Sequence, residues 1–250
     1  MYKEFAQIYD RLMADTDYDL YENRLRARLE EAGALGGRLL ELGCGTGNLT
    51  RRLAPSFSSL FGLDESEAML NRAWPKLASY PRVTLTCQDV RSFQAPQSDA
   101  CCCLLDTLNY LDDEEDLLAC FRRVADCLQP GAPFLFDLNS RKRLFQDLGN
   151  HCYVYDFEDE QGKIYYGWDN TREGETVASF LTFFVQEDGG CYRRIDEEQV
   201  QHFFDLPQVT VLLRKAGFEK IDYRDLDTDG KVGENTRRIL CSCRNKIDFH

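Results

Sequence analysis

The segment GRLLELGCGTGNLTRRLA, residues 37–54, constrains this chain more than any other. Gly43, Gly45 and Gly47 alternate directly behind an apolar run and ahead of a helix-forming pattern, which spells strand, tight turn, helix. Glycines at such a turn let a ligand come close to the backbone and to the amide groups at the helix start. A dinucleotide fingerprint would need glycine at position 48 or 50, depending on register, and those positions hold Asn48 and Thr50. A triphosphate-binding loop would need Gly-Lys followed by Ser or Thr, which is absent. What remains is acidic-x-Gly-x-Gly-x-Gly, starting at Glu41.

Around that loop the chain alternates short β-rich runs, RLLEL, LFGLD, VTLTCQD, ACCCLLD and APFLFDL, with helical stretches. This alternation predicts a parallel sheet with crossover helices. A helical lead with a break near Asp15 to Asp17 precedes it. Between about His151 and Phe204 the period changes to two, with turn residues at Glu160-Gln161-Gly162 and Asp188-Gly189-Gly190, so an antiparallel insertion is expected. The α/β pattern then resumes with LPQVTVLLRKAGF and two closing strands. The expected organisation is residues 1–150 as lead and ligand-binding core, 151–204 as insertion, and 205–250 as the completion of the core.

Two further strand ends carry acids. Asp64 closes LFGLD, where a carboxylate suits the paired hydroxyls of a ribose, and Asp89 follows the third strand, where it can accept from an exocyclic adenine amine. Both compete with the plainer role of a helix N-cap.

LLELGCGTGNLT, GLDESEAML, CQDV, ACCCLLDTLNYL and the helix ending LQPGAPFLFDL, taken in that order over roughly residues 36–140, resemble the motifs of class I S-adenosylmethionine-dependent methyltransferases. The resemblance implies an α/β, Rossmann-like fold: a seven-stranded, mostly parallel sheet with helices on both faces, here with a small antiparallel β insertion added. It implies S-adenosylmethionine over the carboxyl edge, with Glu41, Gly43, Cys44, Gly45 and Gly47 by the methionine moiety and Asp64 with Glu65 by the ribose. Met69, Asp89 and Val90 fall by the adenine, and Leu105 and Asp106 beside the sulfonium. Tyr9 is a candidate cover for the cofactor's amino acid end, against ordinary packing in an amphipathic helix. The lead FAQIYDRLM and the insertion resemble small-molecule N-methyltransferases of the glycine or amino-sugar type and poorly characterised bacterial relatives.

A sulfonium is already an activated leaving group, so alignment and exclusion of water supply most of the acceleration. Asp106 is the first candidate to orient or deprotonate an acceptor, followed by Asn109, Tyr110 and His202, and Arg237 or Arg238 is a candidate for a substrate carboxylate. The formal net charge of -13 disfavours a phosphate backbone as partner, and DTLNYL lacks the Asn-Pro-Pro-Tyr signature of enzymes that methylate amino groups of nucleic-acid bases. A local basic surface around Arg141, Lys142 and Arg143 reads as a solvated helix start. The expected partner is a small-molecule acceptor. The alternatives are a binding protein without transfer activity or a methyltransferase of RNA or protein. The aromatic insertion, with Tyr165, Tyr166, Trp168, Phe183 and Phe184, reads first as a small sheet that needs its own buried face, and second as a substrate lid or a homodimer surface.

The 11 cysteines include the run Cys101–Cys103 and only three histidines accompany them, so they read as reduced, buried thiols and no metal site is expected. No apolar run approaches the roughly 20 residues of a membrane helix and the first residues lack a signal-peptide pattern, from which a cytoplasmic location is expected.

Overall fold

The computed structural model describes residues 4–247. Helix α1 (Phe5–Leu12) and helix α2 (Tyr18–Glu31) form the lead, separated where Asp17 caps α2 by accepting from the Leu20 amide at 2.9 Å. Strand β1 (Arg38–Leu42) leads through the glycine loop to α3 (Asn48–Leu53), followed by β2 (Ser59–Asp64) and α4 (Glu67–Leu77). After β3 (Val83–Cys87) the crossover to β4 (Ala100–Cys103) has no helix and instead buries Phe93 in the core. Helix α5 (Glu114–Cys127) starts at Asp113, whose carboxylate accepts from two amides, and carries three acids in its first turn, favourable at the positive end of the dipole. Strand β5 (Pro133–Asn139) follows.

The insertion is a four-stranded antiparallel meander, β6 (Cys152–Asp159), β7 (Gly162–Glu173), β8 (Thr176–Gln186) and β9 (Tyr192–His202). The chain then completes the main sheet with α6 (Leu206–Lys215), β10 (Phe218–Asp225) and β11 (Arg238–Asn245). The seven main strands lie in the order β10-β11-β5-β4-β1-β2-β3, with β11 antiparallel to both neighbours and the other adjacent pairs parallel.

Strand alternation sorts the core into two layers. Leu40, Leu42, Cys101, Cys103, Phe134 and Phe136 pack with α5 and α6, whereas Leu39, Leu60, Ala100, Cys102, Leu135 and Leu240 pack with α2 and α3. The cysteine run therefore serves both layers of a central strand with small apolar groups. Burial pushes the thiols of Cys101, Cys102 and Cys103 far above the ordinary value, so they stay protonated.

The insertion buries one face only. On β8 the buried side chains are Val177, Ser179, Leu181, Phe183 and Val185, alternating with half-buried or exposed ones. Phe5, Ala6 and Ile8 of α1 fill that face together with Met69 of α4, so α1 lies between insertion and core. Arg11 ties it there with a two-pronged pair to Asp159 at 2.7 and 2.8 Å and a bond to the Gly162 carbonyl.

The basic stretch Arg141–Arg143 stands at a helix start with Arg141 exposed. It begins a π-helical turn, Lys142–Leu148, that buries Leu144 and Leu148, while Arg141 stacks over Phe145 and Phe203 with centroid distances of 4.8 and 4.5 Å. Among the described residues no helix is long and apolar enough to cross a membrane.

Candidate active site

A cleft of about 490 Å³ lies at the carboxyl ends of the central strands, where the chain order reverses between β1 and β4. Its floor is the loops after β1, β2, β3 and β4; its roof is Phe5, Tyr9 and Met13 from the lead, Tyr18 from α2, and Gln199 from β9.

The three glycines have three different reasons. All have positive φ, between +54° and +78°. A side chain at Gly43 would collide with Thr107, whose Cγ2 would stand 2.5 Å from the new carbon. One at Gly45 would meet nothing within 4 Å, so here the turn keeps its backbone open to the cleft. Gly47 instead makes room for Ala73 and Leu77 of α4, each 3.1 Å from where a β-carbon would stand, and does not line the cleft.

Asp64 lies between the loops: one oxygen accepts from the Gly45 amide at 2.8 Å and the other from the Ser66 amide at 2.9 Å. Each oxygen keeps a lone pair for a ligand hydroxyl. The helix cap is Ser66, not Asp64. Burial, only partly offset by those amides, raises the Asp64 carboxyl above its ordinary range. Asp89 closes a turn onto the Arg91 amide and is gripped by the Arg91 guanidinium, which also reaches Asp116; that hydrogen bonding holds Asp89 below the usual carboxylate range. Glu41 is buried under the loop, its Oε2 has no hydrogen-bond partner among the described residues, and burial pushes its carboxyl up to about 8.

At the other end of the cleft the chain is held in an uncommon shape. Leu105 and Asp106 both adopt left-handed backbone, at φ 63° and 56°. The Asp106 amide donates to Asp137 at 3.0 Å. One Asp106 oxygen accepts from Gln201 at 2.6 Å and Asn139 at 3.0 Å, and the other from Arg238 at 3.0 Å. Arg238 also reaches Asp137 at 2.9 Å. Burial pushes the Asp137 carboxyl up to about 6 despite that guanidinium; Arg238 suffers the same burial, but its two carboxylates raise its pKa. Tyr110 completes the wall with a 3.2 Å bond to Gln199.

Of the residues singled out from sequence, the cleft brings together Tyr9, Glu41, Gly43, Cys44, Gly45, Asp64, Glu65, Met69, Asp89, Val90, Leu105, Asp106, Tyr110 and Arg238. Gly47 is corrected to a helix-packing glycine. Asn109 is corrected to a brace: fully buried, it donates to the His202 carbonyl and accepts from the Asn139 amide. His202 is corrected as well, because its ring packs on Phe204 at 4.9 Å and is not part of the cleft wall. Arg237 pairs with Asp147 away from the cleft, whereas Arg238 lines the cleft with its Nη1 shared between Asp106 and Asp137. The sequence reading missed Thr46, Asn48, Arg91, Thr107, Gln199 and Gln201. Thr46 and Asn48 stand inside the loop motif itself, and the parity of β9, set by buried Ile195, places Gln199 and Gln201 inward and His202 outward.

A methyltransferase domain family matches residues 39–131. A Bacillus subtilis protein that carries a methyltransferase name, YqeM, is 32% identical over 223 residues, covering 88% of this chain and 87% of its own length. The crystal structure of an S-adenosylmethionine-dependent methyltransferase from Clostridium acetobutylicum superposes with a TM-score of 0.87 at 33% identity, covering 98% of this chain and 99% of that one. An amino pentose methyltransferase from Micromonospora echinaspora, solved with S-adenosylmethionine bound, shares the fold at a TM-score of 0.79 and 22% identity, over 96% and 97% of the two chains.

Proposed function

The chain belongs to the S-adenosylmethionine-dependent methyltransferases, and on that footing we propose that it methylates a small molecule at nitrogen or oxygen. The observation that carries this reading is the roof of the cleft. Tyr9, Tyr18, Tyr110 and Gln199 line the same cleft as Asp106, so its wall is aromatic and polar in place of an open basic face. The formal net charge of -13 and the amino pentose substrate of a protein with the same fold point the same way.

The residues fit the cofactor. The open backbone at Gly45, the spare lone pairs of Asp64 and the unpartnered Glu41 Oε2 suit a ligand with ribose hydroxyls and an amino acid end. In this reading Asp64 takes the ribose, Asp89 and Val90 the adenine, Met69 an adenine face, and Tyr9 covers the amino acid end. The bound cofactor supplies a methyl group on a sulfonium, open to in-line displacement. The chain's part is to hold the acceptor's lone pair on that line and keep water out. An amine acceptor would leave as an ammonium and a hydroxyl as a protonated ether, and either would give its proton to solvent. Asp106, with three donors already on it, has one lone pair left on Oδ1 and serves to orient an acceptor N–H or O–H.

The test is release of S-adenosylhomocysteine from the purified protein with S-adenosylmethionine and, in parallel, small amines, amino sugars, hydroxy acids, bulk RNA and unfolded protein. Turnover with small amines or alcohols is expected; turnover confined to RNA or protein would sink the proposal.

A further inference from the structure

We propose that Asp10 is a positioning residue for the cofactor, holding the glycine loop in its ligand-ready shape from the underside of α1. Asp10 does not line the cleft, but two residues that do are fixed by it. One of its oxygens accepts from the Thr46 hydroxyl at 2.6 Å and from the Asn48 side-chain amide at 3.0 Å. The other pairs with Lys76 of α4 at 2.6 Å.

Both amide hydrogens of Asn48 are thereby used, and its oxygen is engaged. Its amide nitrogen serves Asp10 and the Tyr18 hydroxyl, at 3.0 and 3.1 Å, while its oxygen accepts from Lys76 at 2.7 Å. Asn48 is also the first residue of α3, whose start faces the cleft. One carboxylate thus joins four elements: α1 that carries it, the loop after β1, the first turn of α3, and the end of α4. Gly45 and Gly47 leave that loop backbone permissive; Asp64 holds the Gly45 amide and the Gly47 amide closes a turn on the Cys44 carbonyl, while Asp10 accepts from the Thr46 hydroxyl between them. Bonds to a charged, half-buried acceptor are the stronger kind, which suits a clamp on a glycine-rich turn.

Arg11, the next residue, holds the same helix to the insertion through Asp159. The pair separates two explanations: α1 as a mere cover, or Asp10 as the holder of the loop. Calorimetric titration with S-adenosylmethionine should show Asp10→Ala weakened about 10-fold or more and Arg11→Ala within about twofold of the parent. The thermal midpoints of the ligand-free variants should be similar. Hydrogen exchange gives a second reading that needs no variant: in the parent, cofactor should slow exchange across residues 5–12.

Equal affinity of Asp10→Ala and parent would overturn the proposal. So would equal weakening by both substitutions, which would make α1 a cover only, or unchanged exchange in α1 on binding. A parent that binds no S-adenosylmethionine would sink the family's cofactor reading together with this one, and would be recognised as such before any variant is compared.

Discussion

The seven-stranded sheet and the four-stranded insertion divide the work of this protein, and they are built on different principles. The main sheet is covered on both faces, and β5 is buried at every residue from Pro133 to Asn139. Its ligand edge is made mostly of backbone: a glycine turn, strand-end carboxylates and amides that point at them. The insertion covers one face and leaves Tyr165, Phe180, Phe184 and Tyr192 exposed on the other. Its contribution to the cleft is side chains, Gln199 on the wall and Gln201 behind Asp106. On the proposed reading, the cofactor is met mostly by backbone and strand-end acids of the main sheet, and the acceptor by side chains that include Gln199 of the added sheet.

That division breaks first at Gly43. Gly43→Val forces a β-branched residue into φ +65° and against Thr107, and should abolish measurable S-adenosylmethionine binding, a loss of about 100-fold or more by calorimetry. A variant that folds and binds as the parent does would remove the backbone half of the comparison.

Within the main sheet, Arg238 of β11 holds two acids together beside the cleft. Arg238→Met leaves the carboxylates of Asp106 and Asp137 without their cation, and an orphaned buried charge costs about 3–5 kcal/mol. A fall in thermal midpoint of roughly 6–12 °C is expected for a chain of this size.

Glu41 tests the same edge through pH. Its folded pKa of about 8 lies above the unfolded carboxyl value of 4.5, so the folded state holds a proton that the unfolded state releases. Its contribution to stability is full below 4.5 and is lost as pH rises toward 8, by roughly 1 kcal/mol per pH step in that window. Glu41→Gln should flatten that slope in denaturant titrations of the ligand-free protein and leave it more stable than the parent at pH 8. An unchanged slope would contradict the buried, protonated carboxyl.

On the insertion side, Gln201→Ala removes the 2.6 Å bond to Asp106 without touching the glycine loop. Cofactor affinity should stay within about twofold, while kcat/KM for the acceptor falls about 10-fold. A reversed pattern would show that the insertion serves the cofactor instead.

What was legible in the sequence was what is local. The strand–loop–helix at Glu41 to Gly47, the strand-end acids and the change to a period of two each lie within a short window, and the corresponding elements formed where that grammar placed them. The acceptor end is not local: Asp106 meets Gln201 across 95 residues and Arg238 across 132, distances at which no periodicity speaks. Gly47 misled for a different reason, since a glycine that admits a ligand and one that admits a neighbouring helix look the same in one sequence. His202 misled through chemistry, because an imidazole attracts a catalytic reading, although strand parity already turned it away from the cleft.

The smallest effect concerns thiols, and it compares the two sheets without perturbing either. Eight cysteines, Cys44, Cys101, Cys102, Cys103, Cys120, Cys127, Cys241 and Cys243, are buried in or beside the main sheet, out of reach of a reagent in solution. Cys87 at the end of β3, and Cys152 and Cys191 in the insertion, are exposed. Brief alkylation of the native protein should therefore label these three, two of them in the one-sided sheet, with no change in cofactor affinity, and the other eight only after denaturation. Rapid labelling within Cys101–Cys103 would mean that the central strand opens on the same timescale as the insertion, and the contrast between a closed platform and an exposed cover would fail.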